Sequence, residues 1–207
     1  MAPRIPDLDE CLRLMVQYEM LENIRRHSLM VAAVAERLVE GLSAGRAEIL
    51  PRDCAPALVR AGALLHDIAK TPCLSQECQH AVLGGVICRE LGYDEVAEIV
   101  EEHVILRRHE PERFCRGIFT AGEIVYYADK RVLHDQVVDL IQRRDYIIER
   151  YGGNDPLRLG VIEKNFGHCL ELERALFSYL GFPPAELQCL DSSELAMETG
   201  LLAGGQG

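Results

Sequence analysis

An all-α, single-domain helical bundle is the fold this sequence predicts, and three observations predict it. Nearly every stretch repeats its apolar residues with helical period. No run alternates polar and apolar residues for long enough to demand a sheet. The apolar mass is Leu, Val, Ile and Ala rather than aromatic, with five Phe, seven Tyr and no Trp, which suits helix packing. A chain of 207 residues is long enough for one sizeable core.

The stretch DLDECLRLMVQYEM (residues 7–20) predicts a short first helix, and residues 1–20 form an N-terminal helical segment ahead of a core at 21–150. A long second helix follows at 21–42, its apolar stripe running through Leu21, Ile24, Val31, Val34 and Leu38. Residues 43–54 read as a loop. APALVRAGALLHDIAK (55–70) is the third helix, with Pro56 near its first turn. It is apolar nearly all round, so it belongs at the centre. After a break at TPCL, a fourth helix covers 75–92, with Ser75 as its cap and Gly92 as its stop. The fifth covers 93–108 with Asp94 as its cap, and 110–119 is a loop or short helix. The sixth covers 120–133, and two further helices cover 135–152 and 156–181. Residues 151–182 are assigned to a C-terminal helix packed on the core, and 183–207 to a flexible tail.

The charge balance removes whole classes of function. There are 22 basic against 33 acidic residues, a net of −11, which repels a long phosphate backbone. A small anion is still admissible, because a local basic pocket can overcome a diffuse negative field. The N-terminus MAPRIPDLDECLRL lacks the apolar centre of a secretion signal, and no apolar run approaches a membrane span. The expectation is a cytoplasmic protein with no membrane partner. Its eight Cys are then expected to be reduced thiols rather than a disulfide set. A zinc site from Cys73, Cys78 and His80 is the weaker alternative, because no second Cys pair has the usual spacing.

Several ionisable residues face the wrong way for a bundle surface. His27 lies three residues after Ile24 and four before Val31, within the apolar stripe of its helix. His80 precedes Leu83, Ile87 and Leu91 on one face. His103 falls among Val96, Ile99, Val100 and Leu106, and Asp129 between Val125 and Val132. His66 and Asp67 end the central helix. Any one of them is accounted for by a hydrogen bond in the core. Taken together, four imidazoles and two carboxylates on five helices are satisfied jointly by one metal centre. A carboxylate has two oxygens, so Asp67 can join two ions where each imidazole serves one. Lys70 is three residues on from Asp67 and shares its face. It either orients that carboxylate or holds a phosphoryl oxygen, or it is a solvated Lys favoured by a helix C-terminus. His109, His134 and His168 read as surface or packing residues.

The order His27, then His66-Asp67, then His80, His103 and Asp129 resembles the HD superfamily of metal-dependent phosphohydrolases. The wording around three of these positions matches too: RRHSLMVAAVAERL, GALLHDIAK and YYADKRV. The similarity covers roughly residues 21–145, and ERYG further on is also familiar from such domains. The branch with an HDIG signature is the nearest in wording, with Ala69 here in place of its Gly. HDIAK also resembles the branch that hydrolyses dinucleoside polyphosphates, although ADKRVLHDQ departs from that branch. The Gly-Tyr-Pro signature of the cyclic-di-GMP phosphodiesterase branch is absent.

This resemblance implies an HD-type helical bundle in which His27, His66, Asp67 and Asp129 hold a first metal. His80 and His103 then serve a second, with Asp67 between the two. One or two divalent transition-metal ions are expected, Fe or Mn ahead of Zn, Co, Ni or Mg. The expected activity is hydrolysis of a phosphoester or phosphoanhydride in a small phosphorylated substrate, a nucleotide above all, by a metal-activated water. Asp67 and Lys70 are the expected catalytic residues. Arg26, Arg107, Arg108, Lys130 and Arg131 are the cations available to the substrate. Two other readings stay open: a catalytically weak nucleotide-binding regulatory module, and a diiron oxygenase on the same scaffold. The oligomeric state is not legible.

Overall fold

The computed structural model describes residues 4–51, 55–153 and 155–191. Its helices are α1 (Leu8–Gln17), α2 (Glu22–Ala44), α3 (Ala55–Leu65), α4 (Pro72–Ser75), α5 (His80–Glu90), α6 (Asp94–Glu102), α7 (Pro111–Phe114), α8 (Ala121–Lys130), α9 (Leu140–Ile147) and α10 (Pro156–Phe177). The described residues are all-α apart from two miniature sheets. No helix among the described residues is long and apolar enough to cross a membrane.

The central position of α3 follows from its composition. Leu58, Val59 and the whole run from Ala61 to Leu65 are buried, and the helix packs against α1, α2, α6 and α8. Around it α2 contributes Val31, Val34 and Leu38, and α8 contributes Ile124, Val125, Tyr126 and Tyr127, all fully buried. Gly62 lets α6 come close, since a methyl group there would meet Ile99 at 2.8 Å.

Several elements stop short of their expected ends, and these departures build the site. α3 ends at Leu65, not Lys70. The next residues turn tightly, with Ile68 N bonded to Leu65 O and Lys70 N to Asp67 O. His66 and Asp67 are therefore on a turn beyond the helix. The expected break at TPCL is itself a single helical turn, α4. α5 begins at His80 behind an extended Gln79, so Ser75 is not its cap. α6 ends at Glu102 and leaves His103 as the residue that terminates it. Between α5 and α6, Gly92 makes the corner with φ +80°, a conformation that costs other residues a steric clash.

Two strand pairs were not legible in the sequence. β1 (Glu48–Leu50) runs parallel to β2 (Ile118–Thr120), with Ile49 opposite Phe119. β3 (Val132–Leu133) and β4 (Gln136–Val137) form a hairpin whose turn holds His134 at φ +57°. Strands of two or three residues are too short to display alternation. The hairpin also ends α8 at Lys130 and delays α9 to Leu140, where one helix from 135 was expected.

The caps are chemical and readable. Thr120 and Glu123 form a reciprocal capping box at α8, and Asp139 and Gln142 form another at α9. Asp155 caps α10. α9 continues into a π-helical turn, Ile148–Gly152. After α10 the segment expected as tail begins with a 3₁₀ helix, Pro184–Cys189, and its Leu187 is buried. The rest of that expectation, residues 192–207, lies outside the described residues.

Candidate metal centre

Six side chains from distant parts of the chain meet at one end of the bundle. α2 supplies His27, the turn after α3 supplies His66 and Asp67, α5 begins with His80, α6 ends at His103, and α8 carries Asp129. Helix ends converge here, so most of these donors sit where a backbone changes direction. All but the half-buried His80 are buried.

The donor atoms form two overlapping groups. His27, His66 and Asp67 make one, Asp67, His80 and His103 the other, with the ligand atoms of each within 4.8 Å of one another. In the first, His66 Nε2 lies 3.3 Å from Asp67 Oδ2, and His27 Nε2 lies 4.0 Å from the same oxygen. Asp129 Oδ1 adds to it at 3.1 Å from His27 and 3.8 Å from His66. In the second, Asp67 Oδ1 lies 3.4 Å from His80 Nε2 and 3.6 Å from His103 Nε2. The two imidazole nitrogens are 3.2 Å apart. Ligands about 2.0–2.2 Å from one tetrahedral ion sit about 3.3–3.6 Å apart, close to most of these spacings. Asp67 offers one oxygen to each group.

The tautomers point the same way. His27 Nδ1–H donates to the His134 carbonyl at 2.8 Å, His66 Nδ1–H to Ala63 O at 2.8 Å, and His103 Nδ1–H to Val100 O at 2.6 Å. A carbonyl only accepts, so each ring carries its proton on Nδ1 and aims an Nε2 lone pair at carboxylate oxygens. Lone pairs facing anions are matched by a positive charge between them, a metal ion or a second ring proton. Two of the atoms involved, His66 Nε2 and Asp67 Oδ1, are buried without any hydrogen-bond partner, a costly state unless something else binds there.

Charge and burial compete across the cluster. Burial pushes the His27 and His103 imidazoles below their ordinary value and His80 down to about 4. Burial acts on His66 as well, but the Asp67 carboxylate outweighs it and raises that ring. Burial alone would lift the Asp67 carboxyl; His66 and Lys70 overcome it and hold the group well below the usual carboxylate range. At Asp129 burial is likewise overcome, chiefly by Lys130. The site thus keeps two anions among imidazoles that are mostly uncharged, a donor set that fits a divalent transition ion.

Five of the six donors line a cleft of about 630 Å³, and His66 lies buried behind them. Lys70 lies on its wall and donates to Asp67 Oδ2 at 2.6 Å. Of the five other cations singled out in the sequence, only Lys130 lines this cleft. Its ammonium donates to Asp129 Oδ2 and to the His103 carbonyl, both at 2.8 Å. Arg131 is buried elsewhere, bonded to Val138 O, Tyr127, Glu173 and Pro184 O. It clamps the hairpin and the 3₁₀ segment and does not line the cleft where the sequence reading had placed it. Arg26 is exposed and paired with Asp135. Arg107 reaches Glu101 at 3.7 Å. Neither of them, nor Arg108, lines the cleft. His109 pairs with Glu171 and stacks on His168 away from the donors. His134 lies beside the cleft, and its backbone orients His27.

Sequence reasoning missed Arg143, Arg150 and Arg158, which do line the cleft. A signal was there: Arg143, Tyr146, Ile147 and Arg150 recur at three, four and seven residues, one face of a helix. The expected pool of reduced thiols also needs correction. Cys73 and Cys78 are joined in a disulfide on the cleft wall. Their sulfurs are not available as zinc ligands. Cys11, Cys88, Cys115, Cys169 and Cys189 are free thiols, and Cys54 lies outside the described residues.

With this geometry in hand, comparison with known proteins gives the family. The profile of the HD domain matches residues 24–146. The chain belongs to the HD domain family. That membership places it in the superfamily of metal-dependent phosphohydrolases, and the matched range contains all six donors. Among curated proteins it is similar to two named tRNA (cytidine(56)-2'-O)-methyltransferases. One, from Picrophilus torridus, is 31% identical over 150 residues, 68% of this chain and 40% of that protein. The other, from Thermoplasma volcanium, is 32% identical over 155 residues, 68% of this chain and 42% of that protein. This chain therefore spans about two fifths of their length. An uncharacterized protein of Methanocaldococcus jannaschii is 31% identical over 138 residues, 59% of this chain and 78% of its own. No solved structure gives a significant match.

Proposed function

We propose that this HD domain is a metal-dependent phosphohydrolase that cleaves a phosphoester or phosphoanhydride bond in a small phosphorylated metabolite of the nucleotide kind. One observation carries the reading: Asp67 presents a different oxygen to each of two imidazole groups, with Lys70 held against it. His27, His66, Asp67 and Asp129 would hold one divalent ion, and His80 and His103 with Asp67 a second. When bound, such ions polarise a phosphoryl oxygen and lower the pKa of water. The chain's own part is orientation. Backbone carbonyls fix three imidazoles, Lys130 holds Asp129, and Lys70 both orients Asp67 and presents an ammonium to the phosphoryl group.

The methyltransferase names of two relatives belong to proteins that this chain covers only in part. The donor set here offers metal and anion chemistry, and that is the activity we assign. A competing reading is a regulatory module that binds nucleotide without turnover. The test is metal analysis of the chain purified without chelator, followed by phosphate release from a panel of nucleotides and phosphoesters with Fe, Mn, Zn, Co, Ni and Mg. Release that depends on metal and is lost in Asp67→Ala supports the hydrolase. Nucleotide binding without release under any metal assigns the module instead.

A further inference from the structure

The cleft reverses the charge of the protein that contains it. The chain as a whole carries −11, yet the cleft wall holds Lys70, Lys130, Arg143, Arg150 and Arg158 against only two acids, Asp67 and Asp129. Those two acids are already shared. Lys70 and Lys130 each hold one at hydrogen-bond distance, and Arg143 Nη2 stands 3.6 Å from Asp129 Oδ1. Neither the Arg150 nor the Arg158 guanidinium forms an ion pair with an acid of the cleft wall. The Arg150 side chain makes no hydrogen bond or ion pair with any described residue, and Arg158 spends one guanidinium N–H on the Tyr151 carbonyl at 3.3 Å. Both are exposed to solvent inside the cleft mouth.

Their placement relative to one another is set by a hydrogen bond. The Arg158–Tyr151 bond sets the two guanidinium-bearing segments beside each other, the π-helical turn and the first turn of α10. Lys70, Tyr151, Arg150 and Arg158 line the same cleft as the donors. Lys70 is spent on Asp67, whereas the two guanidiniums form no ion pair with a described residue. A single phosphoryl group held at the donors leaves that positive charge unmatched. The cleft's volume of about 630 Å³ is that of a site for a whole small molecule rather than one tetrahedral anion.

We propose that the substrate carries at least two phosphoryl groups, and that Arg150 and Arg158 bind the one that is not cleaved. The substrate class is then a polyphosphate or bisphosphate, not a monophosphate ester. Guanidinium groups suit this task because their planar forks match phosphoryl oxygens. The inference rests on the hydrolase reading for the word substrate, but the subsite is testable without turnover.

Inorganic tripolyphosphate and orthophosphate serve as the probes. Each is titrated calorimetrically into the full chain as purified, with metal content measured before and after. Tripolyphosphate should bind at least tenfold tighter than orthophosphate. In the doubly substituted chain, Arg150→Ala with Arg158→Ala, that ratio should fall at least fivefold. Both side chains are exposed, and circular dichroism checks that the fold is kept. A ratio near one in the unsubstituted chain, or a ratio that the double substitution does not move, overturns the proposal. If the contrast is present while no phosphate is released from any substrate, the subsite stands and the hydrolase reading falls. If release occurs without the contrast, the reverse holds.

Discussion

The buried ammonium of Lys130 lies 2.8 Å from Oδ2 of the adjacent Asp129. It also donates to the carbonyl of His103, so one cation ties the end of α8 to the residue that closes α6. A methionine has nearly the same length but no charge. Lys130→Met leaves Asp129 buried with less compensation, though His27 and Arg143 remain. Removing one partner of a buried ion pair costs about 3–5 kcal/mol; with the remaining partners about 2 kcal/mol is expected. Urea unfolding measures the loss, and metal bound per chain should fall with it.

The two overlapping donor groups predict different consequences for single substitutions. His80→Ala removes a donor from one group and should leave the other able to keep its ion, so metal per chain falls by about half. Asp67→Ala touches both groups and should remove essentially all of it. Elemental analysis after gel filtration distinguishes these outcomes. Equal loss in both variants would mean that the donors act as one undivided site.

Acid should destabilise the metal-free protein. His80 is held down to about 4 from an ordinary 6.5, so between these values the unfolded chain binds more protons than the folded one. Stability then drops as pH falls through that window. For His80 alone this is about 2 kcal/mol between pH 7 and pH 4.5. Asp67 and Asp129, held well below 3.8, contribute stability present above their unfolded values, and they lose it only at still lower pH. Urea midpoints of EDTA-treated protein across this range test the sign. A midpoint that rises on acidification would contradict the burial of these groups.

The bond between Cys73 and Cys78 closes a short loop immediately before His80. A cross-link over so few residues restricts the unfolded chain by about 2 kcal/mol. The replacement of both cysteines by serine should lower the unfolding free energy by about that amount. Without reductant, alkylation of the unfolded chain should label two fewer thiols than the sequence contains. Full labelling would show that the bond does not form in solution.

The sequence told more about which residues belong together than about where helices stop. His27, His80, His103 and Asp129 were legible because each interrupts an apolar stripe, and burial of a polar group is a signal in its own right. The ends were harder. α3 stops at Leu65 because the turn after it puts His66 and Asp67 toward the donors, a tertiary gain that overrides the helical preference of DIAK. β1 and β2 pair across some seventy residues of chain, which no local pattern records. Arg131 misled for a related reason. Its neighbour Lys130 points into the cleft, and one step along a helix turns a side chain by about 100°, here into a buried network with Glu173. Arg143 and Arg150 were readable as a stripe but sit beyond the last donor, where a search limited to donors ends.

The donors are scattered widely along the chain: His27 and Asp129, which touch, are 102 positions apart. The complete set of six therefore needs the chain from 27 to 129 in place, with every helix that supplies a donor already docked. An ion held by all of them would bind late, after those helices have met. Metal retention by the unsubstituted chain would then report how many molecules have finished folding.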